Sequence, residues 1–192
     1  MNWQSIPGWS CPVLLALYDE LASALMPGQV FVEVGVAYGR SLAYMASKAR
    51  PGVQILGVDS WLVKMGRNTP EVWNKVRHYT CAFDAACDFL HMSEALRRVE
   101  LCRGNSHDVA HALDFEVDAV FLDGSHEYAA VTRDIMAWMP RVKKGGILAG
   151  HDINSNYPGV GQAVRELCPG AEVRPPAPGE NGWGGVWRWR KP

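Results

Sequence analysis

The chain has 192 residues, room for one α/β domain with a substantial core and too little for two ordinary ones. A formal net charge of −1 provides no global basic field to draw nucleic acid or an anionic membrane, and no apolar run is long enough for a spanning helix. Five cysteines, odd in number and without a Cys-x-x-Cys pair, predict free thiols in a reducing cytoplasm, and residues 1–10 lack the basic start and apolar stretch of a secretory signal.

In chain order, Ser10 stands where it could cap a helix over about residues 10–26. Its apolar Val13, Leu14, Leu17, Leu21 and Leu25 follow the helical period as far as Pro27-Gly28. Val30 to Val34 reads as a buried strand, Arg40 to Ala49 as a helix stopped by Pro51-Gly52, and Val53 to Val58 as a second strand ending at Asp59. This order predicts a parallel sheet with right-handed crossovers. The stretch from Ser60 to Arg98 is too long for an ordinary crossover. Thr69-Pro70-Glu71 opens one helix in it and Ser93-Glu94 signals a second, so it reads as a helical insertion on the ligand-binding edge. Strands follow at Val99 to Arg103 and Val117 to Leu122, separated by a short helix from Ser106 to Leu113. Glu127 to Met139 is helical, and Lys144-Gly145-Gly146 turns into a fifth strand from Gly146 to Ala149. Glu172 to Arg174 and Gly185 to Arg190 suit a terminal antiparallel hairpin. The fold class is therefore a Rossmann-like, mostly parallel sheet with helices on both faces, in a single domain over residues 1–192.

The first strand runs into Glu33-x-Gly35-x-x-x-Gly39, a loop whose backbone can approach a ligand closely. A dinucleotide loop has three glycines as Gly-x-Gly-x-x-Gly; here Ala37 takes the second position and Gly39 is displaced by one residue. The spacing disfavours a pyrophosphate, and Glu33 suits an amine-bearing ligand. Asp59, at the second strand's end, is placed to accept hydrogen bonds from ribose hydroxyls.

On these residues the chain resembles the class I S-adenosylmethionine-dependent methyltransferases, over about residues 30–190. The resemblance implies S-adenosyl-L-methionine as cofactor. The loop through Glu33, Gly35, Val36, Ala37, Gly39 and Ser41 would hold its methionine portion, Asp59 its ribose, Ser60 and Trp61 would flank ribose or adenine, and Asn105 and Ser106 would take the adenine side.

Leu122-Asp123-Gly124-Ser125-His126-Glu127 and Gly150-His151-Asp152 end the two central strands that follow. These segments resemble catechol- and caffeoyl-type O-methyltransferases, and more closely the small sugar- and antibiotic-modifying O-methyltransferase family. The resemblance implies a hydroxyl acceptor, Asp123 and His126 as catalytic residues with Asp123 also against the cofactor, and a divalent metal on Asp123, His151 and Asp152. His126 replaces the usual lysine, and His151-Asp152 replaces an Asp-Asn pair. Carboxylates suit magnesium, manganese or calcium, while a histidine ligand moves the preference toward manganese or zinc. A metal-free reading, with Asp123 and His126 simply contacting the cofactor, stays open from the residues alone. His78, His91, His107 and His111 read as surface or packing residues.

The expected partner is a small-molecule acceptor, with neither nucleic acid nor membrane, and a homo-oligomer is compatible with the sequence. An acceptor pocket is expected from the N-terminal segment, the 60–98 insertion with Trp61, Trp73, Tyr79 and Phe83, and the Pro178 to Gly185 loop with Trp183. Two other readings compete: an NAD(P)-dependent oxidoreductase, opposed by the glycine spacing, and a cofactor-binding module without activity.

Overall fold

The computed structural model describes residues 2–62, 69–176 and 184–192. Strands β1 (Val30–Val34), β2 (Gln54–Asp59), β3 (Val99–Arg103), β4 (Val117–Leu122) and β5 (Val142–Gly150) run parallel. Strand β7 (Val186–Arg190) lies antiparallel between β5 and β6 (Glu172–Arg174). The order across the sheet is β3-β2-β1-β4-β5-β7-β6. It reverses direction between β1 and β4, so the carboxyl ends of these two strands flank the crevice where an open α/β sheet binds ligands.

Alternation along the strands divides the core in two. Phe31, Ile55, Phe121 and Ile147 face helices α1 (Pro12–Ala24), α2 (Arg40–Lys48), α3 (Pro70–Val76) and α4 (Ala82–Met92). Val32, Val58, Val120 and Leu148 face α5 (Ser106–Ala112), α6 (Tyr128–Trp138) and α7 (Pro158–Leu167). Both faces are covered, so β1 is buried along its whole length and reads as a continuous apolar run interrupted only by Glu33. Tyr18 of α1 stacks edge-on against Phe31 at 5.8 Å and Phe121 at 4.8 Å between ring centroids, fixing the helix on the sheet.

Four local expectations are corrected. The cap of α1 is Cys11, which makes no side-chain capping bond, because Pro12 takes the first helical position and Ser10 lies one residue outside. Ser93 ends α4 rather than starting a helix: Glu94 turns left-handed at φ 61° and leads into a 3-10 turn at Ala95–Arg97. Gly145 and Gly146 lie inside β5 at a register shift, and Gly146 passes so close to the carbonyl of Asp118 that a side chain would overlap it. Helix α7 has no counterpart in the sequence reading. Its first turn contains Gly159, a poor helix former that is required because α7 packs onto the backbone of Tyr128.

Thr69 does cap α3, accepting from the backbone N–H of Val72. No disulfide joins the five cysteines. Among the described residues, no helix is long and apolar enough to cross a membrane.

Candidate active site

The site is built where β1 and β4 leave the sheet. The backbone N–H of Gly35 donates to Val58 and that of Asp123 to Val34, so the two loops cross in contact. Gly35 (φ 94°) has the Asp123 carbonyl where a Cβ would be. Among the described residues, four non-glycines have left-handed backbones: Ala37, Trp61, Asp152 and Glu94. Three of them belong to the loops around this crevice. Strain of about 1–3 kcal/mol per residue persists only where surrounding bonds over-determine it. Here Asp59 does so: one carboxylate oxygen accepts from the Ala37 N–H at 2.9 Å and the other from the Trp61 N–H at 2.7 Å. The Trp61 indole N–H closes the link by donating to the Ala37 carbonyl at 2.8 Å.

Glu33 does not line the crevice. It is fully buried beneath the loop, accepting from the Tyr18 hydroxyl at 2.9 Å and the Ser41 hydroxyl at 2.7 Å. Burial raises its pKa to about 8 against the two hydroxyl bonds, which favour the ionised form, and the nearby Asp123 and Asp59 add to the rise. Glu33 thus ties α1, β1 and α2 together below the glycine loop. The raised pKa makes its contribution to stability full below the ordinary carboxyl value of 4.5 and lost as pH rises through about 8. In thermal melts, Glu33→Gln should therefore gain on the wild type as pH rises from 5 to 8.5. A difference between the two that stays flat across that range would contradict this assignment.

Two lobes open from the crevice. The first, of about 680 Å³, is lined by Gly35, Ala37, Asp59, Ser60, Asn105, Ser106, Asp123, Gly124 and Asp134, among others. It gathers most of the residues expected against the cofactor. Trp61 is buried on the far side of Asp59, edge-on to Phe83, and supports the loop from behind. The second lobe, of about 730 Å³, is lined by Pro7 to Cys11, Gly35 to Tyr38, Arg40, Ser41, His126, His151, Asp152, Tyr157 and Gly184. Gly35, Ala37, Asp123, Gly124, His126 and Tyr157 belong to both.

The N-terminal segment lines the second lobe, held by the Arg40 guanidinium donating to the Gly8 carbonyl. The described part of the 60–98 insertion does not line it. Val76, Ala85, Ala86, Phe89 and Leu90 turn into the core with α2, and Trp73 is exposed. Of the 178–185 loop, Gly184 lines this lobe, and residues 178–183, Trp183 included, lie outside the described residues. Sequence reasoning missed Tyr157, whose ring lies 4.2 Å from that of His126, and Asp134. The latter's signal was legible: a charge at an inward position of the α6 stripe Val131, Ile135 and Trp138.

At the junction, His126 Nε2 is 2.8 Å from Asp152 Oδ2, and His151 Nδ1 lies 3.4 Å from Asp123 and 3.5 Å from Asp152. His151 Nε2 faces the Cys11 thiol at 3.7 Å. The side chains whose ligand atoms converge within 4.8 Å are Asp123, His126 and Asp152, and His151 Nδ1 faces both carboxylates beside them. Burial works against charge on both imidazoles, yet the carboxylates prevail and both pKa values are raised. Burial likewise opposes ionisation of Asp152, and its two histidine bonds hold its pKa well below the usual range.

Comparison with known proteins agrees with this geometry. No curated protein matches the sequence. Among solved structures, the fold is similar to the O-methyltransferase TomG from Streptomyces achromogenes, involved in tomaymycin synthesis and solved with S-adenosylmethionine. The identity is 16%, the match covers 96% of this chain and 82% of that one, and the TM-score is 0.68. A SAM-dependent O-methyltransferase from Thermotoga maritima matches at 16% identity over 96% and 67% of the two chains, with a TM-score of 0.67. An rRNA methylase from Streptococcus thermophilus matches at 16% identity over 96% and 99%, with a TM-score of 0.65. Residues 32–153, more than half of the chain, match the family model described as a methyltransferase domain, and the chain belongs to that family, the S-adenosylmethionine-dependent methyltransferases with the class I fold.

Proposed function

We propose that the protein transfers the methyl group of S-adenosylmethionine to a hydroxyl of a small-molecule acceptor, with His126 taking the hydroxyl proton. One observation carries the reading: the His126–Asp152 pair stands where the two lobes meet, at the edge of the glycine loop. In this reading the adenosyl group occupies the lobe of Asp59, Asn105 and Ser106, the methionine portion lies along Gly35 to Ser41, and the acceptor enters beneath Pro7 to Cys11.

In the neutral imidazole, the contact of Nε2 with Asp152 favours the proton on Nε2 and leaves Nδ1 as the accepting atom. An acceptor oxygen attacks the sulfonium methyl in line; the new C–O bond forms as the methyl–sulfur bond breaks. The hydroxyl proton passes to His126 Nδ1, and S-adenosylhomocysteine departs. Holding donor and acceptor collinear supplies a large part of the rate, up to about 7–11 kcal/mol in well-oriented systems. The glycine loop fixes the donor for that purpose, and the base adds about 10²–10⁴-fold.

The donor set also fits a divalent ion. Asp123 and Asp152 would hold it with one imidazole, His126 or the expected His151, in a set that suits magnesium or manganese before zinc. Such an ion, when bound, lowers the pKa of a coordinated hydroxyl.

Calorimetric titration with S-adenosylhomocysteine, with and without chelator, tests the reading. Binding in both conditions is expected, and absence of binding would overturn it. A transfer assay with chelator then assigns the ion: loss of activity restored by manganese or magnesium places the metal in the reaction, and undiminished activity leaves the proton to His126 alone.

A further inference from the structure

Helix α6 presents Val131, Asp134, Ile135 and Trp138 on one face, at the i, i+3, i+4, i+7 spacing of a core stripe. Three of these are buried apolar side chains; the fourth is a carboxylate. A charge at such a position costs stability unless it is matched by polar partners. Its visible partner is the Ser106 hydroxyl, at the first turn of α5, which also accepts from the Trp138 indole N–H at 2.8 Å. An ionised carboxylate has about four acceptor positions, and one hydroxyl fills one of them. The carboxylate lines the first lobe together with Asn105, Ser106, Gly124 and Ser125. Asp134 Oδ2 lies beside Gly124, 3.7 Å from where a Cβ would stand.

We propose that Asp134 is the residue that selects the adenine base, by accepting a hydrogen bond from its exocyclic amine. The inference rests on the adenosyl group lying in this lobe, as proposed above. Among the base's edge groups that amine is the donor, while the ring nitrogens only accept. Asn105 and Ser106 supply polar edges beside it, and Asp59 is left to the ribose with both oxygens already oriented by Ala37 and Trp61. A carboxylate placed this way rejects a base whose amine is replaced by a carbonyl oxygen, because two acceptors then face each other.

The test compares S-adenosylhomocysteine with S-inosylhomocysteine, which differs at that amine, by calorimetry on the wild type and on Asp134→Asn. The wild type should prefer the adenosyl compound by about 10- to 100-fold, the range for a hydrogen bond to a charged group. Asp134→Asn, whose amide can donate to the carbonyl, should cut that preference to within about threefold or reverse it. A role confined to holding α5 against α6 would instead weaken both ligands equally and leave the preference unchanged, which would overturn the proposal. A wild type that binds both compounds within threefold would overturn it without any variant, should Asp134→Asn fail to fold. Failure of the wild type to bind either one would remove the cofactor assignment, and this inference with it.

Discussion

Gly35→Ala is expected to abolish measurable S-adenosylhomocysteine binding and to lower stability by about 3 kcal/mol or more. The Cβ would stand 2.1 Å from the Asp123 carbonyl oxygen and 2.4 Å from its carbon. Neither backbone has room to give, since Gly35 is bonded to Val58 at 2.9 Å and Asp123 to Val34 at 2.7 Å. The φ of 94° adds a conformational cost to the overlap. Gly39→Ala makes the control. Its φ is similarly left-handed, but its Cβ would meet the buried Leu90 side chain at 2.9 Å rather than a bonded backbone. Its stability cost should be smaller than that of Gly35→Ala, and cofactor binding should survive. Chemical denaturation and calorimetry read both variants. Near-equal losses in the two would show that left-handed backbone, and not the crossing of the β1 and β4 loops, is what the cofactor site depends on.

His126→Ala should reduce methyl transfer by about 10²–10⁴-fold with any acceptor the wild type uses, while leaving S-adenosylhomocysteine affinity within a few-fold. The imidazole reaches the lobe junction from the loop after β4, and Asp152 orients it at 2.8 Å from the loop after β5. Asp152→Asn is the matching change, because asparagine tolerates the left-handed backbone at φ 57° better than alanine does. It should cost at least about tenfold in rate, by loosening the orientation and tautomer of His126. A His126→Ala enzyme with wild-type turnover would remove the base from the mechanism. Loss of cofactor binding in the same variant would make His126 a donor-site residue instead.

Much of the site was legible because it follows strand ends. Glu33, Asp59, Asp123 and His151-Asp152 all lie at or just beyond the carboxyl ends of short apolar runs, and a parallel sheet brings such ends to one edge whatever the loops do. The runs themselves were readable where strands are buried on both faces, as β1 and β4 are, which leaves period and length little ambiguity. Helices α4 and α7 were not readable. Cys81 offers no capping side chain, and Gly159 sits in the first turn of α7 for a close approach that a linear pattern does not contain.

The sequence by itself determined the sheet and the glycine loop, which depend on residue type at local spacing, and its family resemblance implied the methyl donor. Only the tertiary structure decided where these side chains are placed. Glu33 was expected beside an amine and is buried under the loop, because α1 brings Tyr18 and α2 brings Ser41 to its two oxygens. His126 and His151 are equivalent as letters, and their distances to Asp123 and Asp152 separate them. The second lobe is walled by residues 7–11 rather than by the insertion, because the insertion spends its apolar faces on the core. Packing between distant segments sets each of these outcomes, and spacing along the chain does not encode it.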